Sequence, residues 1–191
     1  MTLRVAFVPG VTPDKWARAW RERTPEPLEL LPIEESEQRA VLEDGRADMV
    51  LARTPLIDDA LFRVRLYDEL PVVVVDREHP VSAYPEVQSH DLAHEQFVLG
   101  VPEGVDVSAD QLPFEPMSVR DAIEVAASGT GVVVCPMSVA RLHHRKDVVH
   151  RVVTDLPTTE VALVWPKAID DDRTQAFVGV VRGRTAHSSR G

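Results

Sequence analysis

Ser118–Pro136 reads SVRDAIEVAASGTGVVVCP, and this stretch decides the fold. Ser118 is placed to cap a helix, with Asp121 supplying a negative charge in its first turn. Ile123, Ala126 and Ala127 recur at helical spacing and form one apolar face. Gly129 and Gly131 flank Thr130 and are expected to end the helix with positive φ. Val132–Cys135 is a continuous apolar run, suited to a strand buried on both faces. Pro136 has no N–H for a ladder and stops it. Helix, glycine turn and buried strand in succession belong to an α/β sheet. The helix N-terminus at Ser118, Val119 and Arg120 presents backbone N–H groups suited to a small anion.

The rest of the chain continues in this style. Leu3–Val8 is β-rich, and Pro9, Gly10 and Val11 form a loop. Thr12 before Pro13 predicts a helix over Asp14–Arg23, with Trp16, Ala19 and Trp20 on one face. Leu28–Ile33 is a second strand. Ser36 is expected to cap a helix over Glu37–Glu43 that stops at Asp44-Gly45, and Ala47–Ala52 is a third strand. Strand, helix, strand, helix, strand implies parallel pairing with crossover helices. Further strands are expected at Leu61–Leu66, Leu70–Val75, Phe97–Val101, Val148–Val153 and Val161–Trp165. Short helices are expected around Leu92 and Ala93, where Ser89 is a candidate cap, and over Ser138–Leu142. Thr174–Val181 is the last helix. No regular structure is expected for Glu103–Pro116, and residues 183–191 read as a disordered basic tail.

Bulk properties narrow the function. A chain of 191 residues with 44% hydrophobic and 27% charged residues can build one domain or two small lobes. No apolar run is long enough to span a membrane, and no signal peptide is read, so a cytoplasmic protein is expected. One cysteine, Cys135, excludes an internal disulfide. A net charge of -10 argues against the folded body binding nucleic acid directly. No phosphate-binding loop, dinucleotide fingerprint or nucleophile elbow occurs, and His143, His144 and His150 lack metal-ligand spacing. No cofactor and no metal are therefore expected.

Five segments, in order, carry a family resemblance: LRVAFV (Leu3–Val8), LEDGRADMVLAR (Leu42–Arg53), DELPVVVVDREHPVS (Asp68–Ser82), AIEVAASGTGVVVCP (Ala122–Pro136) and ALVWP (Ala162–Pro166). With them the chain resembles the effector-binding domain of LysR-type transcriptional regulators over Leu3–Val181. The turn at His79–Ser82 reads HPVS where the family carries an HPLA-like sequence. The family's winged helix-turn-helix is not in this sequence, which fits either a piece of a longer regulator or a stand-alone binding module; Met1 and the basic tail lean slightly to the second.

The resemblance implies a two-lobed α/β fold of the periplasmic-binding-protein type, with central sheets flanked by helices. The chain would cross twice between lobes, near Val74 and Trp165. Lobe one would be residues 1–74 with 166–182, and lobe two residues 75–165. A small-molecule effector, an organic acid or other metabolite, would lie in the cleft between them and be sensed by lobe closure. The implied contacts are Gly10, Val11 and Thr12, then Glu35 and Ser36, then Val101 and Pro102. The resemblance implies a small hydroxyl residue at Glu35, so a carboxylate there is a departure that favours a cationic or polyol effector. Arg53, ending the third strand, and Arg120 are candidate forks for a carboxylate or phosphate. The resemblance also implies a side-by-side homodimer; the Trp16–Trp20 face is a candidate surface for it and equally a candidate for the core. Three classes remain open: a non-catalytic effector sensor, a transporter-type solute-binding protein, and an enzyme on the same fold, which a Glu35–Arg53 pair keeps in view. A stand-alone protein-interaction module is a further alternative.

Overall fold

A computed structural model describes residues 1–56 and 58–183, so the expected tail, from Arg184 on, lies outside the described residues. In chain order the strands and α-helices are β1 (Leu3–Phe7), α1 (Asp14–Arg23), β2 (Leu28–Pro32), α2 (Ala40–Glu43), β3 (Met49–Arg53), β4 (Leu61–Glu69) and β5 (Pro71–Asp76). Then come β6 (Glu86–Val87), α3 (Val119–Ala127), β7 (Val133–Pro136), α4 (Met137–Leu142), β8 (Val148–Val153), β9 (Thr159–Pro166) and α5 (Asp172–Val181). They fall into two compact units, Met1–Asp68 with the chain from Glu160 on, and Glu69–Thr159. The boundaries lie at the end of β4 and the start of β9, where Val74 and Trp165 were expected: β5 belongs to the second sheet and β9 to the first.

Unit one is built on a five-stranded sheet in the order β2-β1-β3-β9-β4. The expected crossovers make β1 parallel to β2 and β3, with Phe7 opposite both Pro32 and Leu51. β9 returns antiparallel to β3, pairing Val50 with Val164. Met49, Val50, Leu51 and Ala52 are wholly buried, as an apolar run covered on both faces must be. α1 has the bounds its sequence signals predict. Its Trp16, Ala17 and Trp20 face inward, and the Trp20 ring meets Phe177 of α5 edge-on at 5.7 Å between centroids. The indole N–H of Trp20 donates to the Glu26 carbonyl at 2.8 Å, as a buried tryptophan requires. Of the two readings open for the Trp16–Trp20 face, dimer surface and core, the structure shows core.

Unit two holds a four-stranded sheet in the order β6-β8-β5-β7. Central β5 runs antiparallel to β7 and β8. Its alternating valines feed two cores. Val72 and Val74 pack with Ala122, Ile123 and Ala126 of α3, while Val73 and Val75 pack with Val81, Leu92 and Phe97. This two-sided burial explains why four valines stand in a row.

Several local expectations need correction. Thr12 does not cap α1: the N-cap position is Pro13 and no side chain caps it. Ser36 lies inside a 3-10 turn, Glu35–Glu37, that Glu34 caps, and the following helix starts at Ala40. Ser89 likewise starts a 3-10 turn capped by Gln88, and its own hydroxyl donates to Asp155 Oδ2 at 2.7 Å. Phe97–Val101 is no strand; it makes one parallel bridge, Phe97 to Val132. Two glutamine side chains tie this segment to residues 111–112. Gln111 accepts from the Phe97 N–H at 2.9 Å, and Gln96 accepts from the Leu112 N–H at 2.7 Å. Gly129 has φ 77 and ends α3 as expected, whereas Gly131 serves a close approach. A Cβ there would lie 2.5 Å from the Gln96 carbonyl oxygen.

Candidate functional site

The register of unit one gathers three loops at one end of its sheet. Phe7 stands opposite Pro32 and Leu51, so the chain leaving β1, β2 and β3 emerges side by side. Two hydrogen bonds extend the pairing past the strand ends, from the Val8 N–H to the Leu51 carbonyl at 3.3 Å and from the Ile33 N–H to the Phe7 carbonyl at 3.1 Å. The loops that follow are Pro9–Thr12, Glu34–Ser36 and the turn after Arg53. With Arg53, the last residue of β3, they carry six of the expected contact residues. Carboxyl ends of parallel strands are where open α/β sheets bind ligands.

Within this end, Gly10 takes φ 85, a left-handed conformation that lets the loop turn without a Cβ. Val11 is buried and donates its N–H to the Val8 carbonyl at 3.2 Å, while Thr12 is exposed. Arg53 and Glu35 come together. An Arg53 Nη1–H donates to Glu35 Oε2 at 3.0 Å. The pair is asymmetric: the Arg53 side chain is 1% exposed and that of Glu35 is 52% exposed. Burial of a guanidinium demands a counter-charge, and Glu35 supplies one from the solvent side. Ser36, in the same turn, is half-buried.

Gln38 was not foreseen. Its side-chain N–H donates to the Arg53 carbonyl at 2.9 Å, and its side-chain oxygen accepts from the Arg53 N–H at 3.1 Å. One amide thus satisfies both backbone groups where β3 ends. A glutamine in a polar helical run carries no sequence signal for this, because the partner is fifteen residues away.

In unit two, Val101 is 39% exposed, and the Pro102 carbonyl accepts from the Val105 N–H at 3.2 Å. Val101 helps line a groove of about 470 Å³ formed by residues 97–101 and 111–117. At the start of α3, Ser118 caps as expected. Its Oγ accepts from the Asp121 N–H at 3.1 Å and donates to Asp121 Oδ2 at 2.8 Å. Asp121 thereby places a carboxylate in the first turn, where an outside anion was expected. Val119 is half-buried and Arg120 exposed.

His150 sits on β8, on the face shared with Val148 and Val152. Burial pushes its pKa down, and Arg141, Arg151 and His144 add to the effect. Among the described residues, no group of three or more His, Cys, Asp or Glu side chains is placed to hold a metal ion.

Residues 1–186 match the LysR substrate binding domain. The chain belongs to this family. It is an effector-binding regulatory domain of the LysR type, with the two-lobed periplasmic-binding-protein-like fold. Among curated proteins it is similar to the Hca operon transcriptional activator HcaR of Escherichia coli K12, at 23% identity, covering 96% of this chain and 68% of that protein. It is also similar to the uncharacterized HTH-type transcriptional regulator YnfL of the same organism, at 27% identity over 69% of this chain and 48% of that one. The LysR domain thus spans about half to two thirds of these relatives. Among solved structures, the BenM effector binding domain with its effector benzoate superposes with a TM-score of 0.77 at 19% identity, over 100% of this chain and 94% of that one. The reduced OxyR regulatory domain from Pseudomonas aeruginosa gives 0.70 at 21% identity, over 95% and 96%. Among the described residues of this LysR domain, no helix is long and apolar enough to cross a membrane.

Proposed function

We propose that this LysR-type domain senses a small organic acid, held at the carboxyl ends of β1, β2 and β3, and reports it to a transcriptional regulator without catalysing a reaction. The observation that carries this reading is the cation at that end: Arg53, almost wholly buried, beside the Gly10–Thr12 and Glu35–Ser36 loops. A fixed guanidinium matches a carboxylate in shape and charge. Gly10 admits a close backbone approach, and Thr12 offers an exposed hydroxyl. BenM, similar in fold, has benzoate as its effector, which supports the acid class. These contacts all lie in unit one. In unit two the first turn of α3 already holds the Asp121 carboxylate, which disfavours an acid there.

A regulator that meets DNA works in the cytoplasm, and the domain would act there as a homodimer. β2 and β7 each end a sheet and offer backbone edges for pairing with a second copy.

The test is a thermal-shift screen of the purified chain against organic acids, amines, sugars and phosphates. A ligand that binds the folded state raises the melting temperature by mass action. An organic acid is expected to give the largest shift, and Thr12→Val is expected to weaken it about fivefold, as loss of one hydrogen bond would. A shift confined to amines or sugars, or none at all, would overturn the acid reading.

A further inference from the structure

β3 is flanked unevenly at its carboxyl end. On one side β9 continues: Arg53 stands opposite Val161, and the Thr54 N–H donates to the Glu160 carbonyl at 3.0 Å. Backbone groups alternate sides along a strand, so with Thr54 turned to β9, the Arg53 N–H and carbonyl turn to the side of β1. β1 has already left. Its register with β3 covers Met49, Val50 and Leu51, extended by one bond from the Val8 N–H to the Leu51 carbonyl at 3.3 Å. Past that point the chain folds back, with the Val11 N–H on the Val8 carbonyl at 3.2 Å and Gly10 at φ 85. Arg53 is buried, so its two backbone groups need partners from the protein. Gln38 serves both, at 2.9 and 3.1 Å. A side-chain amide carries a donor and an acceptor as a peptide group does, and here it fills the ladder position that β1 vacates. The main chain of Gln38 belongs to the neighbouring loop. Its N–H donates to the Glu35 carbonyl at 3.4 Å and closes the 3-10 turn Glu35–Glu37. Gln38 is therefore a strut: its backbone is in the turn that carries Glu35 and Ser36, and its amide is on the strand end that carries Arg53.

We propose that Gln38 is the positioning residue of the acid site: without meeting the ligand, it holds the Glu35–Ser36 turn in register with the Arg53 end of β3. This inference rests on the organic-acid reading above. The clamp acts on the Arg53 backbone and is independent of how the guanidinium is paired. Glutamine has both the reach and the two groups. Asparagine is one methylene short, and methionine keeps the length without an N–H donor. A ligand gripped from two loops at once binds tightly only while their spacing is fixed, because groups already ordered lose less freedom on binding.

Isothermal calorimetry on the full chain tests this with benzoate and succinate as carboxylate probes. The proteins are wild type, Gln38→Met, Gln38→Asn and Phe177→Leu. The last disturbs core packing where Phe177 meets Trp20 and leaves the strand ends alone. Thermal melts accompany each titration, and amide exchange at Arg53 reports loss of the clamp. Gln38→Met and Gln38→Asn are expected to exchange faster at Arg53 and to bind at least one carboxylate about fivefold more weakly, the worth of one hydrogen bond. Phe177→Leu is expected to melt below wild type and to bind as wild type does. Wild-type affinity in both Gln38 variants, whatever the exchange at Arg53, overturns the positioning role and leaves the acid reading intact. An equal weakening in Phe177→Leu overturns it too, since a general loss of stability would then suffice. Failure of every protein, wild type included, to bind either carboxylate overturns the inference together with the reading beneath it. If Gln38→Met melts too low to assay, Gln38→Asn carries the comparison.

Discussion

Arg53 shows how much one buried charge organises around itself. Its guanidinium is withdrawn from water, ion-paired to Glu35, and its backbone is clamped by Gln38. Arg53→Ala removes the cation and leaves Glu35 near an apolar strand end, but Glu35 is half exposed and recovers hydration. The expected loss of unfolding free energy is therefore about 1–3 kcal/mol, below the 3–5 kcal/mol typical of a fully buried pair. Urea denaturation of the variant measures it. A stability equal to wild type would mean that the pair contributes nothing, and would leave Arg53 as a ligand group alone. The candidacy of Arg53 was legible in the sequence, because an arginine ending a strand stands at a ligand-binding edge. Its partner was legible only as an option, and Gln38 not at all.

At the scale of elements, the stretch from Ser118 to Pro136 behaves largely as its composition dictates. Ser118 caps α3, Gly129 ends it at φ 77, and β7 follows. Gly131 carries a different duty: the chain at Gln96 passes so close that a Cβ would sit 2.5 Å from a carbonyl oxygen. Backbone cannot retreat as a flexible side chain would. Gly131→Ala is thus expected to cost about 1–3 kcal/mol, an overpacking penalty. It should also weaken the Phe97–Val132 bridge, read as faster amide exchange at Val98, whose N–H donates to the Val132 carbonyl at 3.0 Å. A variant as stable as wild type would show that the 95–98 segment shifts freely. The expected strand at Phe97–Val101 failed for a related reason. Its apolar residues fit a strand, but the Phe97 N–H goes to the Gln111 side chain and the Gly100 N–H turns back to the Phe97 carbonyl, so pairing stops at one bridge. Periodicity does not register such side-chain substitutes for a ladder.

For the whole molecule, pH dependence separates into two ranges. His150 has its pKa pushed below the ordinary value by burial and by nearby cations. The folded chain therefore keeps it neutral, while the unfolded chain takes up a proton below about pH 6.5. Its contribution to stability is present above that pH and is lost as pH falls toward the lowered folded value. Asp147, hydrogen-bonded to Arg145, is instead held at about 2, so its contribution persists until far more acid conditions. The melting temperature is expected to fall between pH 7.5 and 5.5, and His150→Gln to flatten that fall. An equal fall in the variant would place the titrating group elsewhere.

The sequence by itself determined that strands and helices alternate, that β1, β2 and β3 run parallel, and that α1 and β8 span Asp14–Arg23 and Val148–Val153. These follow from local signals: hydrophobic period, caps, Gly and Pro. Five ordered segments also determined the LysR family. Tertiary structure alone decided that Trp16 and Trp20 point into the core, that β4 and β7 lie at sheet edges, and that Arg53 meets Glu35 and Gln38. Those outcomes depend on which segments, tens of residues apart, come into contact. Pairing a buried charge or covering an aromatic face is a property of the partner, and a partner distant in sequence leaves no mark on the local pattern.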